Sequence, residues 1–179
     1  MSARTRDLPR RSCLSVPGSS EKMLAKGPTL PADMVFLDME DSVAPLEKEA
    51  ARGKVVDAIN DAGALAVKHT DGAIMPILDQ MVEAGIDALH SLDPMAGVDI
   101  AEVKRLYGNR ICLIGNVNCA KVQAGTKAEV RRSPYYCIKH GGVQQGGYIY
   151  ATSNCIFKGV PVENYEEMLR VREELGYPQ

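Results

Sequence analysis

Strand-length runs rich in apolar residues alternate along this chain with longer stretches whose apolar positions recur every three or four residues. That is the pattern of strands separated by amphipathic helices. The runs fall at residues 13–16, 34–39, 64–68, 87–92, 111–115 and 147–151, and Gly, Pro, Asn, Asp or Ser stands close after each. Ser19 or Ser20 is placed to cap a helix through about Ala25. A helix beyond Pro45 carries Glu47, Glu49 and Asp57 on its wet side and ends at Gly63, a residue suited to a C-cap. Ile74, Ile77, Leu78 and Met81, spaced i, i+3, i+4, i+7, predict the buried stripe of a helix over about 74–84, with Pro76 in its first turn. Asp99 should cap a helix through Tyr107 that Gly108 closes. Residues 128–140 read as a helix interrupted at Ser133 and Pro134, and 162–175 as a closing helix with Tyr165, Met168, Leu169 and Arg172 inward.

Six alternations with short connections predict an α/β protein with a parallel sheet under helices. The expected form is a partial (β/α) TIM-type barrel of about six parallel βα units. A closed barrel takes eight units in roughly 250 residues. Six leave sheet edges unpaired, so an open sheet or a homo-oligomer formed through those edges is expected. At 179 residues, with 45% hydrophobic and 25% charged positions, the chain can bury a core. A net charge of −2 gives no electrostatic case for nucleic acid. The longest apolar run is far short of a bilayer span, so no membrane partner is expected. Arg4, Arg6, Arg10 and Arg11 precede no apolar segment of a secretory signal. The five cysteines have neither metal-knuckle nor disulfide-framework spacing, which makes a cytoplasmic setting the expectation.

The chemistry gathers where strands end. Residues 64–68 read as a buried strand that delivers His69 and Asp71 to its C-terminal tip, and alternate positions of an extended chain share a face. Later strands leave through Asp93, Asn116, Cys119, Ser153, Asn154 and Cys155. His69, Asp71 and Cys155 offer imidazole, carboxylate and thiolate, all zinc ligands. Equally, His69 and Asp71 could hydrogen-bond at a polar rim with Cys155 a small filler, and Cys119 is a substitute thiol. Arg11 suits a carboxylate or stands exposed. Asp38 with Glu40, beside Asp41, suits magnesium or substrate orientation, or forms a solvated acidic loop. Asp93 and Asn116 are candidates for substrate contact or loop capping. His90, in mid-strand, reads as structural, and His140 as a complement to a helix end. Cys13, Cys112 and Cys137 read as core. The glycine-rich stretch 141–147 precedes a strand rather than opening a helix, which discounts it as a phosphate loop.

Two stretches resemble known families. Residues 10–18, then Glu21, Lys22, Met23 and Leu24, then residues 36–45 with their Asp38, Glu40 and Asp41, and then residues 47–52 resemble the start of the citrate lyase β-chain and malyl-CoA lyase aldolases. From about Val55 the chain resembles the uroporphyrinogen decarboxylase family and its cobalamin-dependent methyltransferase relatives. This rests on His69, Thr70, Asp71 and Gly72, on Pro76 to Asp79, on Asp99 to Lys104, on Leu113 to Cys119, on Ser153 and Asn154, and on Pro161 to Asn164. The resemblance implies a composite, with the first two βα units of one barrel in residues 1–56 and the last four of another in 57–179, packed as one domain.

The lyase likeness implies that Arg11 grips an acyl-CoA or carboxylate and that the Asp38, Glu40 and Asp41 turn supports it. That family's magnesium ligands lie in strands without a counterpart here. The decarboxylases hold substrate carboxylates with an arginine pair and an aspartate, from a segment this chain does not match. In the methyltransferases zinc sits on a His-x-Cys and a later cysteine; His69 matches, Asp71 replaces the first cysteine and Cys155 lies close to the second. The implied function is a carbon–carbon lyase or decarboxylase acting on a small carboxylated molecule without an organic cofactor. His69, Asp71 and Asn116 are its catalytic candidates, and Arg11, Asp38, Glu40, Asp93, Ser153 and Asn154 its substrate-binding ones. The alternatives are a zinc-dependent corrinoid:thiol methyltransferase, a magnesium-dependent acyl-CoA lyase, and an inactive composite or truncated barrel.

Overall fold

The structure is a computed structural model that describes residues 12–63, 65–142 and 147–175. The chain divides into two compact units at the Leu65–Ala66 boundary. In the first, β1 (Cys13–Pro17) and β2 (Met34–Asp38) pair in parallel, from Cys13 opposite Met34 to Pro17 opposite Asp38. Between them lies α1 (Glu21–Lys26), whose cap is the Ser20 side chain accepting from the Met23 amide. After β2 the chain enters α2 (Lys48–Ala62), stopped by Gly63 in the left-handed conformation. Val16, Leu24, Val43, Ala51 and Val55 form the buried set of this unit.

The second unit holds β3 (Val67–Thr70), α3 (Leu78–Glu83), β4 (Ala88–Ser91), α4 (Ile100–Tyr107), β5 (Cys112–Ile114), α5 (Cys119–Ala124), α6 (Lys127–Cys137), β6 (Tyr148–Ile149) and α7 (Val162–Leu175). Its sheet runs β3-β4-β5-β6, every pair parallel, and a bridge from Val117 to Thr152 extends the β5–β6 pairing beyond the strands. Leu89 and Leu113 point from the sheet into a core with Leu78, Ile100 and Val103, all fully buried. Among the described residues no helix is long and apolar enough to cross a membrane.

The parallel α/β reading holds, with three differences of detail. Among the described residues the six strands lie in two sheets of two and four strands, one in each compact unit. Ala64 lies outside the described residues, and residues 65–68 of the expected buried strand are largely exposed, because β3 is an edge of the four-stranded sheet; Leu65 is 45% and Val67 55% exposed. Helices also differ from their stripes. The one over 74–84 opens as a 3-10 turn around Pro76, which leaves Ile77 exposed while Ile74 and Leu78 are buried. Pro134 does not interrupt α6, and α5 is an additional helix, capped by the Asn118 side chain accepting from Lys121. On α7 the buried positions are Glu167, Met168 and Val171 in place of Tyr165 and Leu169. Glu167 is buried because Arg131 (2.6 Å), Arg170 (3.1 Å) and Lys127 (3.5 Å) surround its carboxylate. Those charges hold its carboxyl below the usual range, the Arg131 hydrogen bond foremost.

Candidate functional site

The register of two parallel strands builds the site. His69 of β3 stands directly opposite His90 of β4, so the two rings lie on one face. Their centroids are 4.8 Å apart at 29°, and Nδ1 of one lies 2.7 Å from Nδ1 of the other. The other ring nitrogen of His90, Nε2, is 3.3 Å from the Thr152 carbonyl oxygen, at the exit of β6. Burial pushes the His90 imidazole below its ordinary value, as does neighbouring His69, against the opposing pull of the Thr152 carbonyl and Asp71.

Asp71 follows β3 by one residue and is held from two sides. Its Oδ1 accepts from the Ser91 hydroxyl at 2.7 Å, and its Oδ2 accepts from the Asn154 side-chain amide at 3.2 Å. The same Oδ2 lies 3.9 Å from His69 Nε2, an ion-pair distance when the imidazole is protonated. The side chains of His69 and Asp71 are 37% and 48% exposed, so both reach solvent, while Ser91 beside them is fully buried. Close approach of three strand ends requires Gly115 between them. Its φ is +110°, and a Cβ there would sit 2.7 Å from the Ser91 carbonyl oxygen and 3.5 Å from the His90 ring. The assembly can take up a proton at His69, stabilise the resulting cation with Asp71, and donate a hydrogen bond from Asn154.

Of the residues singled out in the sequence, His69, Asp71 and Asn154 come together here. Ser153, beside them in the chain, is 1% exposed, and its hydroxyl has no hydrogen-bond partner among the described residues. Cys155 is exposed, and its backbone N–H bonds the Asn154 side chain at 2.7 Å. Among the described residues no three His, Cys, Asp or Glu side chains gather closely enough to share a metal ion. Cys119 opens α5 and is half-buried.

Asn116 anchors the loop leaving β4: it is 4% exposed with φ +98°, and its amide donates to the carbonyls of Leu92 and Val98. It also borders a separate cleft of about 390 Å³ with Asp99, Asn118, Arg132 and Tyr136. Asp93 caps the turn after β4, accepting from the Met95 amide at 2.9 Å. Asp38 belongs to the first unit and turns back on its own loop, accepting from the amides of Glu40 (2.7 Å) and Ser42 (3.1 Å). Hydrogen bonds from Ser42 and Glu40 hold its carboxyl below the usual range. Glu40 is exposed, and Arg11 lies outside the described residues. His90, Ser91 and Thr152 were missed as site residues. Only His90 left a signal, a second histidine in a strand of similar length, and its meaning depends on register.

Comparison with known proteins gives three kinds of match. The uroporphyrinogen decarboxylase (URO-D) family model matches residues 49–175. Shorter similarities reach the human mitochondrial citramalyl-CoA lyase, 44% identical over 54 residues, which is 30% of this chain and 16% of that protein. The L-malyl-CoA/beta-methylmalyl-CoA lyase of Cereibacter sphaeroides is 44% identical over 52 residues (29% and 16%), and the citrate lyase subunit beta of Escherichia coli 46% over 50 (28% and 17%). The chain thus spans about one sixth of the length of these curated relatives. A solved methyltransferase from Methanosarcina mazei shares the fold at a TM-score of 0.58 and 18% identity, over 91% of this chain and 41% of that one. Since the family match takes in most of the chain, including every residue of the His69, His90 and Asp71 cluster, this protein belongs to the uroporphyrinogen decarboxylase (URO-D) family.

Proposed function

We propose that the chain carries out carbon–carbon lyase chemistry of the decarboxylase kind on a small carboxylated substrate. The observation that supports it is the half-exposed His69 beside Asp71 at the C-terminal rim of parallel strands, where α/β proteins bind ligands. In the proposed step the bond to a substrate carboxylate breaks and carbon dioxide leaves. The electron pair stays on the substrate carbon and takes a proton from the His69 imidazolium, which regains one from water. Asp71, fixed by Ser91 and Asn154, stabilises that imidazolium before transfer. Asn154 offers a side-chain donor for a second substrate oxygen.

The test is carbon dioxide release from uroporphyrinogen, the substrate in the family's name, and from simple di- and tricarboxylates, with the wild type, His69→Ala and Asp71→Asn. A positioned acid contributes about 10²–10⁴-fold, so His69→Ala should lose activity on that scale. Release that is absent in the wild type, or unchanged in His69→Ala, overturns the proposal. The same preparation decides among the other chemistries: methyl transfer from methylcobalamin to a thiol with stoichiometric zinc by elemental analysis, or magnesium-dependent cleavage of citramalyl-CoA. Self-association through the outer edges of β3 and β6 is a further proposal, read by sedimentation.

A further inference from the structure

We infer that His90 and the Thr152 carbonyl together fix the tautomer of His69, leaving its Nε2 bare beside Asp71 as the nitrogen that exchanges protons. The argument is one of counting hydrogens. Two imidazole nitrogens 2.7 Å apart share one hydrogen: two would repel, and none would set lone pair against lone pair. Which ring donates is decided at the far end of His90. Its Nε2 faces a backbone carbonyl, which only accepts, so Nε2 carries a hydrogen.

A neutral imidazole has a single N–H. The Nδ1 of His90 is therefore a lone pair, and the Nδ1–H of His69 donates to it. Neutral His69 then presents a bare Nε2 to the space 3.9 Å from Asp71 Oδ2. The opposite arrangement needs a doubly protonated His90. Its ring is packed between the His69 ring and the strand end at Gly115, and burial disfavours that charge. His90 is half-buried and acts through its contact with His69, so it is a positioning residue. A free histidine side chain in water prefers its hydrogen on Nε2, the reverse of the state assigned to His69. The preference must therefore be imposed by a neighbour, and β4 supplies it in register.

The assignment is read directly from long-range proton–nitrogen NMR spectra of ¹⁵N-labelled protein at about pH 8, where unperturbed histidine is neutral. The wild type should show His69 protonated on Nδ1 and His90 on Nε2. His90→Asn places an amide oxygen near the lost Nδ1 and should keep His69 in the Nδ1–H form; His90→Leu should return it to mostly Nε2–H. A wild-type His69 protonated on Nε2 overturns the inference without any variant, and so does an Nδ1–H form that persists in His90→Leu. The consequence for catalysis rests on the proposed role of His69, but these spectra do not. Carbon dioxide release that fails while the tautomers stand as assigned removes only the functional proposal.

Discussion

Gly115 is the position at which the geometry of the site can be tested through stability. In Gly115→Ala the new Cβ faces two penalties. A φ of +110° is foreign to residues with a side chain, and left-handed backbone costs them about 1–2 kcal/mol. The Cβ would also stand 2.7 Å from the Ser91 carbonyl oxygen and 3.4 Å from that of Thr152, both backbone atoms that cannot swing aside. Forcing extra volume into packed surroundings costs about 1–3 kcal/mol. Together they predict a loss of about 2–5 kcal/mol, or a fall in Tm of roughly 4–20 °C for a chain of this size. Gly85→Ala separates the two penalties, since φ there is +87° but nothing lies within 4 Å of the added carbon. It should cost only the backbone strain, about 1–2 kcal/mol. Urea unfolding followed by circular dichroism measures both variants. If Gly115→Ala is no worse than Gly85→Ala, the strand ends do not approach as closely as described, and the contact of His90 with Thr152 loses its basis.

Acidification should destabilise the fold through His90. Its folded pKa lies below the ordinary 6.5, so as pH falls below about 6.5 the unfolded chain takes up a proton that the folded one refuses. Unfolding free energies at about pH 7.5 and 5.5 should differ less in His90→Asn than in the wild type, and an equal difference refutes the assignment. Iodoacetamide should modify exposed Cys155 well before Cys137, whose thiol is 1% exposed and pushed up to about 12 by burial; comparable labelling rates by peptide mass mapping would contradict that burial. Ser153→Ala should leave stability equal or raise it, because a buried hydroxyl without a partner costs about 1–3 kcal/mol. A clear drop in Tm would reveal a hydrogen bond to that oxygen.

Local rules carried much of the fold. Ser20, Gly63, Asp99 and Gly108 end helices where their side chains or backbone freedom place them, since a cap is settled within one turn of chain. The rest needed partners distant in sequence. His90 looked structural because it lies in mid-strand; its contact with His69 comes from β3, twenty-one residues earlier, through register. Glu167 is not among the inward positions read for the closing helix, and what accompanies its burial is Arg131, thirty-six residues away. Asn116 carried the family pattern, yet its positive φ and two carbonyl partners turn it into an anchor. In the candidate site, His69, Asp71 and Asn154 were legible as polar strand exits, whereas Ser91 and Thr152 contribute through contacts that no spacing encodes.

That anchor has a bearing on how variants and ageing preparations are interpreted. One side-chain amide ties the backbone at Leu92 to that at Val98, and so restrains the loop leaving β4. Conversion of Asn116 to aspartate, by mutation or by spontaneous deamidation, changes scarcely any volume but replaces the donor with an anion facing two carbonyl dipoles. The loop would be repelled instead of tethered, and the rim beside Ser91 would loosen with it. A slow loss of the proposed activity on storage, accompanied by a mass gain of about one unit, would then report a released loop while His69 and Asp71 remained chemically intact.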